Sequence, residues 1–373
     1  MKYLVRLLLL SIIASCSQIK TIKNKVVTPR KTMKEFQAQW GKNLDPSYLS
    51  GNVPIHLNGP ITHDGAIYIG SSGEGFLSIN ERDGKVNWKK RESETYSSSP
   101  LVFENNIIYG TENGRIISRK LVNGELNYEL DLGASVDGTP IASSGRLFVQ
   151  LRNHQIFSLD ATTGKILWSY KKPVTNKTTI QGVGKGHVFD NKVIFGFADG
   201  DMLSFRVETG EIIWEQKIGK SSDKFMDLNW DIAEFNGKLA TLDAAGNIYI
   251  ISGSDGTISN QFNVGASTNL ISKNGNLYFG ALNGEVKILG PSLNVNTLFK
   301  FSKRTVTRIA LWKNRIIAGD ISGLVSVYSL SASKILKNKI LGNDLSALFT
   351  KPTVGELGGL VLFTSRGRLY YYQ

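Results

Sequence analysis

The chain alternates apolar and polar positions with a period of two, in short runs separated by glycine-centred turns. Ile107-Ile108-Tyr109-Gly110 is followed across Gly114 by Arg115-Ile116-Ile117-Ser118, and Leu277-Tyr278-Phe279-Gly280 across Gly284 by Glu285-Val286-Lys287-Ile288. Such paired runs are the signature of a β-hairpin. The hairpin recurs. Its first strand opens at Ile67, Ile107, Leu147, Val193, Leu239, Leu277, Ile316 and Leu360, at spacings of 40, 40, 46, 46, 38, 39 and 44 residues, which makes eight units. A repeat of this length marks a propeller or a solenoid. Seven residues after each start, from the second unit on, stand Gly114, His154, Gly200, Gly246, Gly284, Gly323 and Gly367, and Gly75 comes one residue late in the first.

Each hairpin is flanked by two further runs. Segments such as Ser99-Pro100-Leu101-Val102 and Thr139-Pro140-Ile141-Ala142 precede it. Behind it come Gly84 with Trp88, Gly124 with Tyr128, Gly164 with Trp168 and Gly210 with Trp214, always four residues apart. The glycine supplies a turn, and the aromatic stands on the outermost strand, where it can dock between neighbouring units. Four strands in each of eight units predict an all-β fold, an eight-bladed β-propeller. The Gly-x-x-x-aromatic pattern fades at Asp255 to Asn260 and is lost in units six and seven. After the eighth hairpin the chain ends at Tyr370-Tyr371-Tyr372-Gln373, without room for a fourth strand. The segment Phe36 to Gly41, with Trp40 near its end, is expected to supply it and close the ring, giving one domain over 35–373.

Composition adds two constraints. Hydrophobic residues make up 41% of the 373 and charged ones 20%, which excludes a disordered chain and a polytopic membrane protein. The single cysteine excludes an intrachain disulfide and a cysteine-rich zinc site, so the fold rests on core burial. That cysteine is Cys16. Residues 1–15 read as a signal peptide, with Lys2 and Arg6 ahead of an apolar run from Leu7 to Ile13. Ile13-Ala14-Ser15-Cys16 resembles the lipobox of bacterial lipoproteins, so Cys16 is expected to be lipidated and to begin the mature chain. Acyl chains then hold the protein to a membrane at about 0.8 kcal/mol per buried methylene. Ser17, where an aspartate would by the same resemblance favour the inner membrane, points to the periplasmic face of the outer membrane. Of the net charge of +13, Lys2 and Arg6 leave with the signal, and Lys20, Lys23, Lys25, Arg30, Lys31 and Lys34 lie in a tether over 16–34, leaving +5 beyond it. The basicity thus belongs largely to a spacer beside a membrane, and no nucleic-acid partner is expected.

A search for chemistry finds no convergent set. His56, His63, His154 and His187 fall on different units without metal-ligand spacing. No Gly-x-Ser-x-Gly elbow leads into a helix. Gly182-Val183-Gly184-Lys185-Gly186 lacks the helix and βαβ setting of a phosphate loop, and reads as a flexible connection. Asp199 and Asp201 sit on a hairpin turn, where Asp-Gly is favoured for backbone reasons. No catalytic residue, metal or cofactor is expected.

Gly-x-x-x-Trp closing successive units resembles the pyrroloquinoline-quinone-type propeller repeat. Together with the lipobox and tether, it is similar to the BamB family of outer-membrane assembly lipoproteins, over essentially the whole mature chain. That resemblance implies a non-catalytic scaffold which binds POTRA domains of a BamA-type barrel protein through loops at one end of the ring. The first such loop would be Thr178-Thr179-Ile180-Gln181-Gly182, with Thr178 and Gln181 where better-known members have leucine and arginine. The second would be Asp227-Leu228-Asn229, its second acid replaced by an amide. Phe225, Met226 and Trp230 add an apolar cluster to that second connection, either an interface anchor or, for Trp230, a cap on the layer between blades. Exposed blade edges could also receive strands of unfolded outer-membrane clients. The alternative is a periplasmic quinone- or sugar-binding propeller with enzymatic activity in its channel. Long cofactor loops and vicinal cysteines of quinoprotein dehydrogenases are not found in this sequence.

Overall fold

The computed structural model describes residues 36–45, 58–92, 95–173, 184–218, 227–228, 231–341 and 346–373. These form eight four-stranded antiparallel sheets and contain no helix. In blade one the order from centre to rim is Ile61–His63, Ala66–Ser71, Gly75–Asn80 and Val86–Lys90, and the next six blades repeat it. Every expected hairpin start falls on or one residue inside an observed second strand. The eighth blade is built from both ends of the chain. Ala38–Asn43 pairs with Arg368–Tyr372, which pairs with Leu360–Phe363 and then Thr353–Val354. The ring is an eight-bladed β-propeller, closed by N- and C-terminal strands.

Backbone conformation explains the glycine repeat. Gly75, Gly114, Gly200, Gly246, Gly284, Gly323 and Gly367 have φ between 67° and 97°, and His154 takes φ 65° at the same position. A left-handed residue is required there, and glycine takes it without a Cβ penalty. The second turn, between third and outer strands, has the same demand at Gly84, Gly124, Gly164, Gly210 and Gly256. In blades six and seven Leu293 (φ 65°) and Ser333 (φ 48°) meet it. The conformation therefore persists where the sequence pattern is lost.

The aromatic of one blade packs on the second-turn glycine of the next. A Cβ on Gly84 would lie 2.8 Å from the Trp40 ring, one on Gly124 2.6 Å from Trp88, and one on Gly210 2.7 Å from Trp168. Tyr128 and Trp214 stand likewise against Gly164 and Gly256. Each ring also donates to the neighbouring blade's backbone, as in Trp88 Nε1 to Leu121 O at 2.7 Å and Trp168 Nε1 to Val207 O at 3.0 Å. Opposite Trp88, Tyr128, Trp168 and Trp214 stand the buried serines Ser78, Ser118, Ser158 and Ser204, and the register shifts immediately after each. This recurrent bulge inserts the extra residue that sets the glycine-to-aromatic spacing at four. The core accordingly lies between blades, as where Phe76 stacks on Tyr109 at 3.8 Å.

Candidate partner-binding face

Antiparallel order puts the hairpin turns and the inter-blade connections on one face of the ring. Hydrogen bonds join them: Leu132 N to Gly114 O (2.8 Å), Ile218 N to Gly200 O (2.8 Å), Ala266 N to Gly246 O (2.9 Å). The two sequence-predicted loops fall in the neighbouring connections that follow blades three and four, whose first described residues lie on this face. Thr178, Ile180, Gln181, Phe225, Asn229 and Trp230 lie outside the described residues, as does Cys16. Their roots are described.

The root of the first loop is Lys172, only 9% exposed. Its Nζ reaches Asp201 Oδ2 at 2.8 Å, Glu215 Oε1 at 2.7 Å and Asp199 Oδ2 at 3.5 Å, all on blade four. Lys217 Nζ adds a second cation 3.2 Å from Asp201 Oδ1. Burial alone would lower the Lys172 pKa, but the bonds to Asp201 and Glu215 and the charges of Asp199 and Asp201 outweigh it and raise it above the lysine range. Burial pushes Asp199 up, while at Asp201 burial is overcome by the Lys172 bond and the carboxyl is held low. The pair Asp199/Asp201 is thus more than turn chemistry. It clamps the end of blade three onto blade four, and nothing in the local sequence around either aspartate shows Lys172 as the partner.

The second loop returns to the ring at Asp227 and Leu228. Both are buried, at 0% and 3% exposure. Leu228 packs in the cluster of Ile194, Met202, Trp214 and Ile218, and its carbonyl lies 2.6 Å from where a Gly196 Cβ would be. The reading of these two side chains as partner contacts is corrected by that burial: they fasten the loop to the ring. Asp227 also acts on His154 at the blade-three hairpin. Burial lowers the His154 pKa against the opposing charges of Asp199 and Asp227. For Gly186 the reading as part of a flexible connection is also corrected. A Cβ on Gly186 would fall 2.3 Å from the Phe195 ring, so Gly186 is fixed by close packing rather than by a need for flexibility.

Elsewhere on this face Glu92 accepts from Arg119 Nη2 (2.7 Å), Tyr109 Oη (2.8 Å) and Tyr96 Oη, beside a cavity of about 310 Å³ lined by Ser71, Arg91, Glu92 and Tyr96. On the opposite face His63 stands 3.6 Å from both Asp64 and Glu356, the one grouping among the described residues with metal-ligand proximity. Asp64 is almost fully exposed, so the group is open to water.

Residues 77–289 match a family profile described as "Outer membrane protein assembly factor BamB". A protein of that name from Yersinia pestis is 23% identical over 242 residues, 60% of this chain and 62% of that one, so the chain spans about three fifths of that relative. The dehydrogenase subunit of a quinone alcohol dehydrogenase from Gluconobacter oxydans is 33% identical over 93 residues, 24% of this chain and 12% of that one. The crystal structure of BamB from Moraxella catarrhalis superposes with a TM-score of 0.75 at 16% identity, over 91% of this chain and 99% of that one. With the profile covering more than half of an eight-bladed ring of pyrroloquinoline-quinone-type repeats, the chain belongs to the BamB family.

Proposed function

We propose that this protein is a non-catalytic scaffold of outer-membrane protein assembly, which holds POTRA domains of a BamA-type barrel protein against the face described above. Family membership supports the role. The observation that carries the placement is the double root: the connections 174–183 and 219–230 spring from adjacent blades clamped together by Lys172, Asp199, Asp201 and Glu215. A recognition surface built from loops gains affinity when its ends are held rigid, because less ordering remains to be done on binding. Thr178, Ile180, Gln181, Phe225, Asn229 and Trp230 would supply the contacts, with Trp230 and Phe225 as aromatic anchors. Residues 1–15 would be removed as a signal, Cys16 would carry the lipid, and 16–34 would tether the ring over 35–373 at the periplasmic face of the outer membrane. Unfolded clients would add strands to exposed blade rims.

Affinity purification of the lipidated protein from gently solubilised native membranes tests this. A co-purifying barrel protein with POTRA domains, lost on Ile180→Asp or Trp230→Ala at unchanged melting temperature, is the expected result. A clean bait with a bound chromophore would instead favour the enzymatic reading that the dehydrogenase similarity raises.

A further inference from the structure

The innermost strands of the eight blades line the central channel, and strand register aligns them. In each blade the residue paired with the one just after the hairpin start marks the same height, as in Ile61↔Tyr68, Ala310↔Ile317 and Thr353↔Val361. Two residues upstream of it, at the loop-face end of the strand, stands one equivalent residue per blade. Gly59, Ser99, Thr139 and Asn269 hold that position in blades one, two, three and six. Lys185, Asp231, Arg308 and Lys351 hold it in blades four, five, seven and eight. Contacts between neighbours join these residues into a ring at the channel mouth. Gly59 N donates to Ser99 Oγ at 2.7 Å and Lys185 N to Asp231 Oδ1 at 3.2 Å, while a Cβ on Gly59 would lie 3.5 Å from Lys351 O.

Four blades fill this position without a charge, so the fold does not require one there. The other four bring three cations and a single acid. Among the described residues neither Lys185 nor Lys351 has a carboxylate within ion-pair distance. Glu234, the next acid along the innermost strand of blade five, is engaged by His187 Nε2 at 3.1 Å. Lys185 and Lys351 are open to water, yet protein surrounds Lys185 closely enough that burial lowers its pKa, with Asp231 opposing the shift and Lys351 adding to it. Burial also lowers the Arg308 pKa, against the charge of Asp231. Blades four and eight stand opposite each other and blade six separates five from seven, so these charges act on one another across the channel. Cations gathered in so confined a space repel one another and cost stability until an anion neutralises them.

We propose that this ring binds a small dianionic oxyanion, a phosphate or a dicarboxylate, at the loop-face mouth of the central channel. Lys185 and Lys351 approach it from opposite sides, and Arg308 offers the planar fork of donors that suits such oxygens. Asp231 leaves the ring at +2, which matches a dianion rather than a more highly charged ligand. The enclosure that acts on Lys185 favours a small ion over a macromolecular segment. The site shares a face with the proposed partner loops but uses none of their contact residues, so it stands or falls separately from the scaffold role.

Isothermal titration calorimetry of the purified full chain with inorganic phosphate and with succinate, against chloride at matched ionic strength, tests the inference. Saturable binding of a dianion but not of chloride is expected. Tighter phosphate binding identifies a tetrahedral oxyanion and tighter succinate binding a dicarboxylate, and either result carries the proposal. Lys185→Gln/Lys351→Gln weakens that binding roughly a hundredfold, at roughly tenfold per lost cation. Lys185→Arg/Lys351→Arg retains it, and Lys165→Gln/Lys238→Gln, exposed on blades three and five, leaves it unchanged. At low salt without the dianion, Lys185→Gln/Lys351→Gln melts above the parent because the repulsion is gone, a readout that also shows the variant to be folded. Equal binding by the parent and Lys185→Gln/Lys351→Gln, equal saturation by chloride, or no saturable binding of either dianion overturns the inference. So does retention of poly-glutamate without binding of either small ion, which would assign the ring to an acidic protein segment.

Discussion

Lys172 shows how one buried charge organises its neighbourhood. Its ammonium stands among Asp199, Asp201 and Glu215, and removing it leaves two nearly buried carboxylates facing each other. Lys172→Met is expected to cost about 3 kcal/mol at neutral pH. The sign of the pH dependence follows from Asp201. Its carboxyl is held below the ordinary aspartate value, so its contribution is complete above that value and fades as the pH falls through the depressed one. Without Lys172 both acids are protonated more readily, and the deficit of the variant shrinks below about pH 4, which denaturant titrations at two pH values will read. Asp227→Arg belongs to the same scale. At 0% exposure the site has no room for an arginine, and a loss of about 3 kcal/mol in thermal or chemical unfolding is expected, in place of a selective binding defect.

Blade against blade, the working unit is one ring on one turn. Gly210 has φ 73° and would carry a Cβ 2.7 Å from Trp168, whereas Gly145 has φ 71° with nothing within 4 Å. Alanine at Gly145 therefore meets only the left-handed backbone penalty of about 1 kcal/mol. At Gly210 it adds displacement of the indole, and more than about 2 kcal/mol is expected. Trp168→Ala, removing the same contact from the other side, should cost about 3 kcal/mol. Equal effects of the two glycine substitutions would show that the ring yields freely. The glycine-to-aromatic spacing was readable along the chain, but its cause was not. The spacing depends on a bulge beside Ser78, Ser118, Ser158 and Ser204; these serines recur eleven residues after the hairpin starts of blades one to four, but only strand pairing shows that the register shifts there.

Closure is a property of the whole molecule. Trp40 on the N-terminal strand docks under Gly84 of blade one, its Nε1 donating to Glu81 O at 2.9 Å, while the Glu81 side chain crosses to blade eight and accepts from Tyr371 Oη at 3.1 Å. A Cβ at Gly355 would lie 1.9 Å from Glu81 Oε1, so the carboxyl is pressed into the seam. Burial raises its pKa against the Tyr371 and Leu357 hydrogen bonds. A raised acid gives its stabilisation below its unfolded value and loses it as the pH climbs through the folded one. Glu81→Gln is thus expected to raise the melting temperature at pH 7 and to leave it unchanged near pH 4. A loss at pH 7 alone would mean that the charge itself holds the seam.

The sequence by itself determined the number of blades, the start of each hairpin within a residue, the left-handed turns and the strand that closes the ring. All of these follow from local chemistry: period-two burial, glycine's freedom at positive φ, and an aromatic at fixed spacing. It also placed the two candidate loops on neighbouring connections, with help from a family resemblance. Only the tertiary structure decided that Asp227 and Leu228 face inward, that Lys172 reaches across to Asp199, Asp201 and Glu215, and that Phe36 packs against Trp312 of blade seven. These depend on which residues distant in sequence are brought within a few ångströms, and burial and charge pairing are set by that proximity rather than by the order of residues along the chain.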